Sequence, residues 1–135
     1  MKHLVLMGGI FGLLGVAIGA FGAHALKGVL TVNETTTTFQ TGVQYHMMHA
    51  LALLLVGVLH SQLHPNRHLR IVGWLFTIGI LLFSGSLYTL AITKIGIFGA
   101  ITPLGGVCFL IGWFLIILTA VQSQNRGGDH DVTDH

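Results

Sequence analysis

Formal charges fall at Lys2, Lys27, Glu34, Arg67, Arg70, Lys94, Arg126, Asp129, Asp131 and Asp134, and between them lie four long charge-free intervals. A backbone group left unpaired in hydrocarbon costs several kcal/mol, so an apolar interval crosses a bilayer only as a helix or as a strand of a closed barrel. Barrel strands are about ten residues of alternating pattern. The intervals here are longer and continuously apolar, which predicts an all-α fold: a four-helix transmembrane bundle, up-and-down, filling residues 1–121.

The first predicted span runs from Leu4 to Leu26, 23 residues, where roughly 20 suffice to cross. Lys2 and the closing Ala23-His24-Ala25 imitate a secretory signal, but the apolar stretch exceeds the roughly 7 to 15 residues of a signal core, so the segment reads as a retained helix. Residues 27–42 (KGVLTVNETTTTFQTG) form a polar connection whose threonines disfavour an isolated helix. Asn33 is a candidate cap for a helix that starts near Glu34 and leads into the second span, Val43 to Leu59. Pro65-Asn66 marks a turn, and Ile71 to Thr93 is the third span. Thr102-Pro103 suits a helix cap followed by a first turn, which predicts a fourth span from Pro103 to Val121 with Ile95 to Ile101 as an interfacial lead-in. Residues 122–135 are polar and are expected to be a disordered tail.

Four crossings put both termini and the middle loop on one side. That side holds Lys2, Arg67, Arg70 and Arg126 against Lys27 and Lys94 on the other, so the positive-inside rule places both termini in the cytoplasm. Composition agrees with the pattern: 53% of residues are hydrophobic and 7% charged, where a soluble domain carries about 25% charged. The single cysteine, Cys108, excludes an internal disulfide or a CxxC pair. The net charge of +2 is scattered, which leaves no footprint for nucleic acid.

Glycine predicts how the helices meet. Gly8, Gly12, Gly15, Gly19 and Gly22 recur at spacings of four, three, four and three, giving one face without side chains on which a backbone of the same chain or of a second chain can lie. The third span carries small residues at Gly73, Thr77, Ser84 and Ala91, and the fourth at Gly105, Cys108 and Gly112.

Folded up and down, the chain brings its polar intramembrane residues to one leaflet, opposite the termini: His24, Thr41, Gln44, Tyr45, His46, His49, Ser84, Ser86, Tyr88, Thr89 and Thr102. Tyr45 and His49 are four residues apart and His46 and His49 three, so each pair can touch. A buried tyrosine hydroxyl and an imidazole each need a partner, and bonding one another is the simplest arrangement. Such a cluster is either interhelical glue or a site for a proton, a cation, haem or a quinone-like ligand. His24 points some 140° to 180° from the glycine seam in an unbroken helix, so it reaches His49 only if the helix breaks at Gly22 or the second span packs on the other side. His60, His64 and His68 are interrupted by Pro65 as a ligand set, and Asp129, His130, Asp131, Asp134 and His135 lie in the tail. Neither group is assigned a metal, and no cofactor is assigned. No GxSxG, P-loop or HExxH pattern occurs.

GAFGAHALK (19 to 27), FQTGVQYHMMHALALL (39 to 54), LFSGSLYTL (82 to 90) and ITPLGGVCFLIGW (101 to 113) resemble the four signature stretches of domain-of-unknown-function family 423, the YwdK/YgdD-like small membrane proteins. The resemblance covers nearly the whole chain apart from the tail. It implies four transmembrane helices in the inner, plasma membrane and brings no established activity. His24, Tyr45 and His49 match the family pattern, whereas His46 stands where glutamine is expected, which argues against a 46/49 histidine pair as the family's site.

The leading expectation is a small, non-enzymatic integral membrane protein with a structural or accessory role. Its partners would be membrane lipid and either a second copy or another membrane protein. The alternative is a small transporter or ligand carrier using His24, Tyr45 and His49; a b-type haem protein is a third, which requires two facing histidines.

Overall fold

The computed structural model describes residues 2–63 and 66–128, and every regular element among them is helical. Helix α1 spans Lys2–Ala23, α2 Lys27–Val32, α3 Thr36–Gln62, α4 Arg67–Gly79, α5 Gly85–Thr93 and α6 Ile97–Gly128. A π-helical turn, Ile80–Ser84, joins α4 to α5. Four stretches are long and apolar enough to cross a membrane: Lys2–Ala23, Thr36–Gln62, Arg67–Thr93 and Ile97–Gln124.

Several boundaries differ from those the sequence predicts. The first helix stops at Ala23, before Leu26, and the polar connection holds the short helix α2. The Thr run opens α3, with Thr35 at the cap position and Thr41 donating to the Thr37 carbonyl at 2.9 Å. Asn33 does not cap that helix. Its amide donates instead to the carbonyls of Ala91 and Ile92 at 3.1 and 3.0 Å, and the Thr35 hydroxyl donates to Ala91 at 2.6 Å. The last carbonyls of a helix have no partner of their own, so residues 33–35 act as a cap in trans for α5.

The fourth span begins at Ile97, not at Pro103, which lies inside the helix. A coil from Ile95 to Ile101 would leave several backbone groups unpaired in lipid, whereas a proline inside a helix costs about 3 kcal/mol; the continuous helix is the lesser loss. Thr102 donates to the Phe98 carbonyl at 3.1 Å one residue before the proline. At the other end α6 runs on to Gly128, into the predicted tail. The disorder expected of the rest of that tail, its acidic and histidine residues from Asp129 on, and the interruption by Pro65 beside His64 all lie outside the described residues.

The helices pack as a layered series, α1 on α3, α3 on α4 and α5, and these on α6. A Cβ placed on Gly8, Gly15, Gly19 or Gly22 would run into Leu54, Met47, Val43 or Phe39 respectively. Partner numbers fall as glycine numbers rise, so α1 and α3 are antiparallel. Gly12 meets nothing within 4 Å, so it takes no part in this contact. Across the molecule Gly79 faces Phe109, Gly105 faces Phe83 and Gly112 faces Phe76, the same descending order. At Gly105 the obstacle to a Cβ includes the Phe83 backbone itself: α6 lies directly on the π turn. Leu53, Val56, Leu69, Val72, Phe76, Ile80 and Phe109 fill the main core, and Leu30, Phe39 and Ala91 a smaller one beneath α2.

Candidate functional site

His49 is the fourteenth of the 27 residues of α3, which puts it at mid-helix. It is 2% exposed. Its Nδ1 lies 2.8 Å from the Tyr45 carbonyl and its Nε2 accepts from the Trp113 indole N–H at 3.1 Å. A carbonyl only accepts and an indole N–H only donates. These partners therefore fix a neutral ring protonated at Nδ1, with its one free lone pair already used. The ring stacks on Phe109 at a centroid distance of 3.5 Å and 8° between planes, and Phe76 meets it edge-on at 5.1 Å.

Tyr45 joins this arrangement by its backbone and not by its hydroxyl, contrary to the expected side-chain pair. Helical side chains lean toward the N-terminus, so the tyrosine ring carries its hydroxyl away from the residue four positions on. The two rings are near-parallel at 6.2 Å, and the tyrosine packs on Phe83 at 4.6 Å.

His46 turns to the other side of α3. Its Nδ1 and the Tyr88 hydroxyl share a hydrogen bond of 2.9 Å, and Phe11 of α1 meets its ring edge-on at 5.8 Å. It is 3% exposed, and its Nε2 has no hydrogen-bond partner among the described residues. The two histidines, although three residues apart, thus serve different neighbours.

The serines and threonines close the remaining seams. Ser84, fully buried in the π turn, donates to the Gly42 carbonyl of α3 at 2.7 Å. Ser86 and Thr102 share a bond of 2.6 Å between α5 and α6. Of the residues singled out from sequence, the structure brings His49, Ser84, Ser86, Tyr88 and Thr102 into interhelical contacts. It leaves His24 out: α1 has ended, and the side chain is exposed in the turn that follows. The polar set also reaches mid-helix at His49 instead of staying at one end of the spans.

One participant, Trp113, escapes the sequence reading, although it carried a signal, since an indole N–H in hydrocarbon needs an acceptor. His46 was singled out by its spacing, and what stayed hidden was its partner 42 residues away. Among the described residues no group of three or more His, Cys, Asp or Glu side chains is placed to hold a metal ion.

Comparison with known proteins identifies the family. Residues 18–106 match the model of a family described as "Protein of unknown function (DUF423)". The chain is 49% identical over 122 residues to the UPF0382 membrane protein YwdK of Bacillus subtilis (strain 168), covering 90% of this chain and 98% of that one. It is 40% identical to a UPF0382 membrane protein of Staphylococcus haemolyticus and 41% identical to one of Staphylococcus aureus, each over 122 residues with the same coverage. No solved structure matches the chain.

Proposed function

The chain belongs to the DUF423 family of membrane proteins, and from that premise we propose that it is a non-enzymatic structural or accessory factor of the plasma membrane, with both termini in the cytoplasm. The observation that carries this reading is the saturation of His49. Both of its ring nitrogens are engaged by Tyr45 and Trp113, so the ring has no lone pair for a metal or haem iron and accepts a proton only by giving up the indole. The other polar contacts also join helix to helix: His46 to Tyr88, Ser84 to Gly42 and Ser86 to Thr102. Interhelical hydrogen bonds of this kind hold helices in register in lipid, where apolar burial supplies no force between them. The partners are membrane lipid along the exposed outer faces of α1 and α6, together with a second copy or another membrane protein.

The carrier alternative rests on one observation, the unpartnered Nε2 of buried His46. Native mass spectrometry and a visible spectrum of the protein purified in mild detergent separate the two. The structural reading expects the apo mass with lipid adducts only, unchanged in His46→Gln and His49→Gln. A stoichiometric cofactor or small-molecule adduct, or a Soret band, that disappears in either variant overturns it.

A further inference from the structure

At the end of the molecule remote from its termini, a half-open cavity of about 450 Å³ lies between the end of α1, helix α2 and the start of α3. Gly19, Gly22, Leu30, Phe39 and Val43 form its apolar wall, with Phe39 and Val43 packed against the two glycines. Its polar lining is ordered along the chain: Lys27 and Thr31 come from α2, Thr36 is the first residue of α3, and Gln40 and Gln44 follow along that helix. At 1.5 Å per residue, Gln44 lies about 12 Å further along α3 than Thr36. Thr36, Gln40 and Gln44 are spaced by four and share one face of the helix.

Of these groups, the two glutamines have no side-chain partner among the described residues. Nearby, the side chains of Thr31, Thr35, Thr41 and His46 each make a hydrogen bond, whereas the amides of Gln40 and Gln44 make none to any described residue. Glu34 is the sole carboxylate among the described residues, and it does not line the cavity. Lys27 therefore brings a positive charge to the rim with no acid in the lining to meet it. Both glutamines are exposed along the groove, so their amides are free to donate to an acceptor from outside the chain.

We propose that this groove is a binding site for the headgroup and glycerol region of an anionic phospholipid. The phosphate accepts from Lys27 and Thr36, and the ester carbonyls accept from the Gln40 and Gln44 amides. The acyl chains leave past Val43 and Gly19. The lining repeats the order of the lipid itself: anionic group outermost, carbonyls next, hydrocarbon deepest. A volume of this size lies within the range of small-molecule sites. The site shares no residue with the His49 arrangement and does not depend on it.

Full-length protein in neutral detergent is titrated with dioleoylphosphatidylglycerol or with dioleoylphosphatidylcholine, and stoichiometric adducts are counted by native mass spectrometry. The expected result is one saturable phosphatidylglycerol adduct, bound more tightly than phosphatidylcholine. Lys27→Gln should weaken it about fivefold, the equivalent of ~1 kcal/mol for one cation near an anionic surface, and Lys27→Arg should restore it. Gln40→Leu with Gln44→Leu should weaken both lipids, while Arg67→Gln, at the opposite face, should leave the adduct unchanged. Soluble glycerol phosphate should not compete, which separates a lipid site from a free-phosphate site. Equal affinity for the two lipids, unweakened phosphatidylglycerol binding in Lys27→Gln, competition by glycerol phosphate, or loss of the adduct in Arg67→Gln overturns the proposal.

Discussion

Trp113 of α6 and His49 of α3 are joined by a 3.1 Å hydrogen bond across 64 positions of sequence, and that bond decides the protonation state of the imidazole. With Nδ1–H committed to the Tyr45 carbonyl, the indole must find a bare Nε2. Interhelical hydrogen bonds in membranes contribute about 0.6 kcal/mol on average and up to ~1.7. A double-mutant cycle of His49→Ala and Trp113→Phe, followed by unfolding in detergent, is expected to give a coupling energy in that range. Additive losses from the two single variants would remove the bond from the account.

The close approach of α6 to the π turn gives a sharper steric prediction. A Cβ at residue 105 would meet the Phe83 backbone, whereas one at residue 12 would meet nothing within 4 Å. Overpacking a filled contact costs about 1 to 3 kcal/mol. Gly105→Ala should therefore lower the melting temperature clearly and Gly12→Ala should not. Gly15→Ala should fall between them, because its neighbour is the flexible side chain of Met47 and can move aside. Equal effects at 105 and 12 would show that the packing is otherwise.

Much of this was legible in the sequence because lipid imposes simple rules. Four charge-free intervals dictated four helices, whereas the five-glycine face read on α1 meets α3 at Gly8, Gly15, Gly19 and Gly22 and not at Gly12, and spacing alone did not say which helix it would meet. What stayed hidden has two physical sources. Helix ends in the interface are set by partners far along the chain: Asn33 looks like a local cap but serves Ala91 and Ile92, and Pro103 looks like a helix start but lies within α6. Side-chain direction is the second source. Spacing said that Tyr45 and His49 are neighbours, but the bond runs to the Tyr45 backbone, and the hydroxyl paired with a histidine is that of Tyr88 on His46.

The trans cap predicts a local effect. Thr35→Val removes the 2.6 Å donor to Ala91 and leaves the Asn33 amide in place. A net loss of about 0.5 to 1.5 kcal/mol is expected for one hydrogen bond. Because the carbonyls concerned end α5, amide exchange near Thr93 and Lys94 should accelerate more than exchange in α4. A uniform change across both helices would argue against a cap confined to this end.

Topology offers the most direct test of the assembly as a whole. The connection before α3 and the end of α3 lie at opposite ends of a 27-residue helix, about 40 Å apart at 1.5 Å per residue, which exceeds a hydrocarbon core of about 30 Å. Single cysteines at Thr37 and at Gln62, both exposed, in a Cys108→Ser background, should then react with an impermeant thiol reagent from opposite sides of the membrane. Neither position makes a side-chain hydrogen bond on which the fold depends. Asn66 is avoided, since its side chain accepts from the His68 amide at the start of α4. The orientation follows from charge: the Gln62 end lies with Arg67 and Arg70, so it should be reached only after the cytoplasmic face is opened, and Thr37 in intact cells. The reverse pattern would invert the assignment of the termini while keeping the four crossings. Labelling of both positions from one side would mean that α3 does not span the membrane.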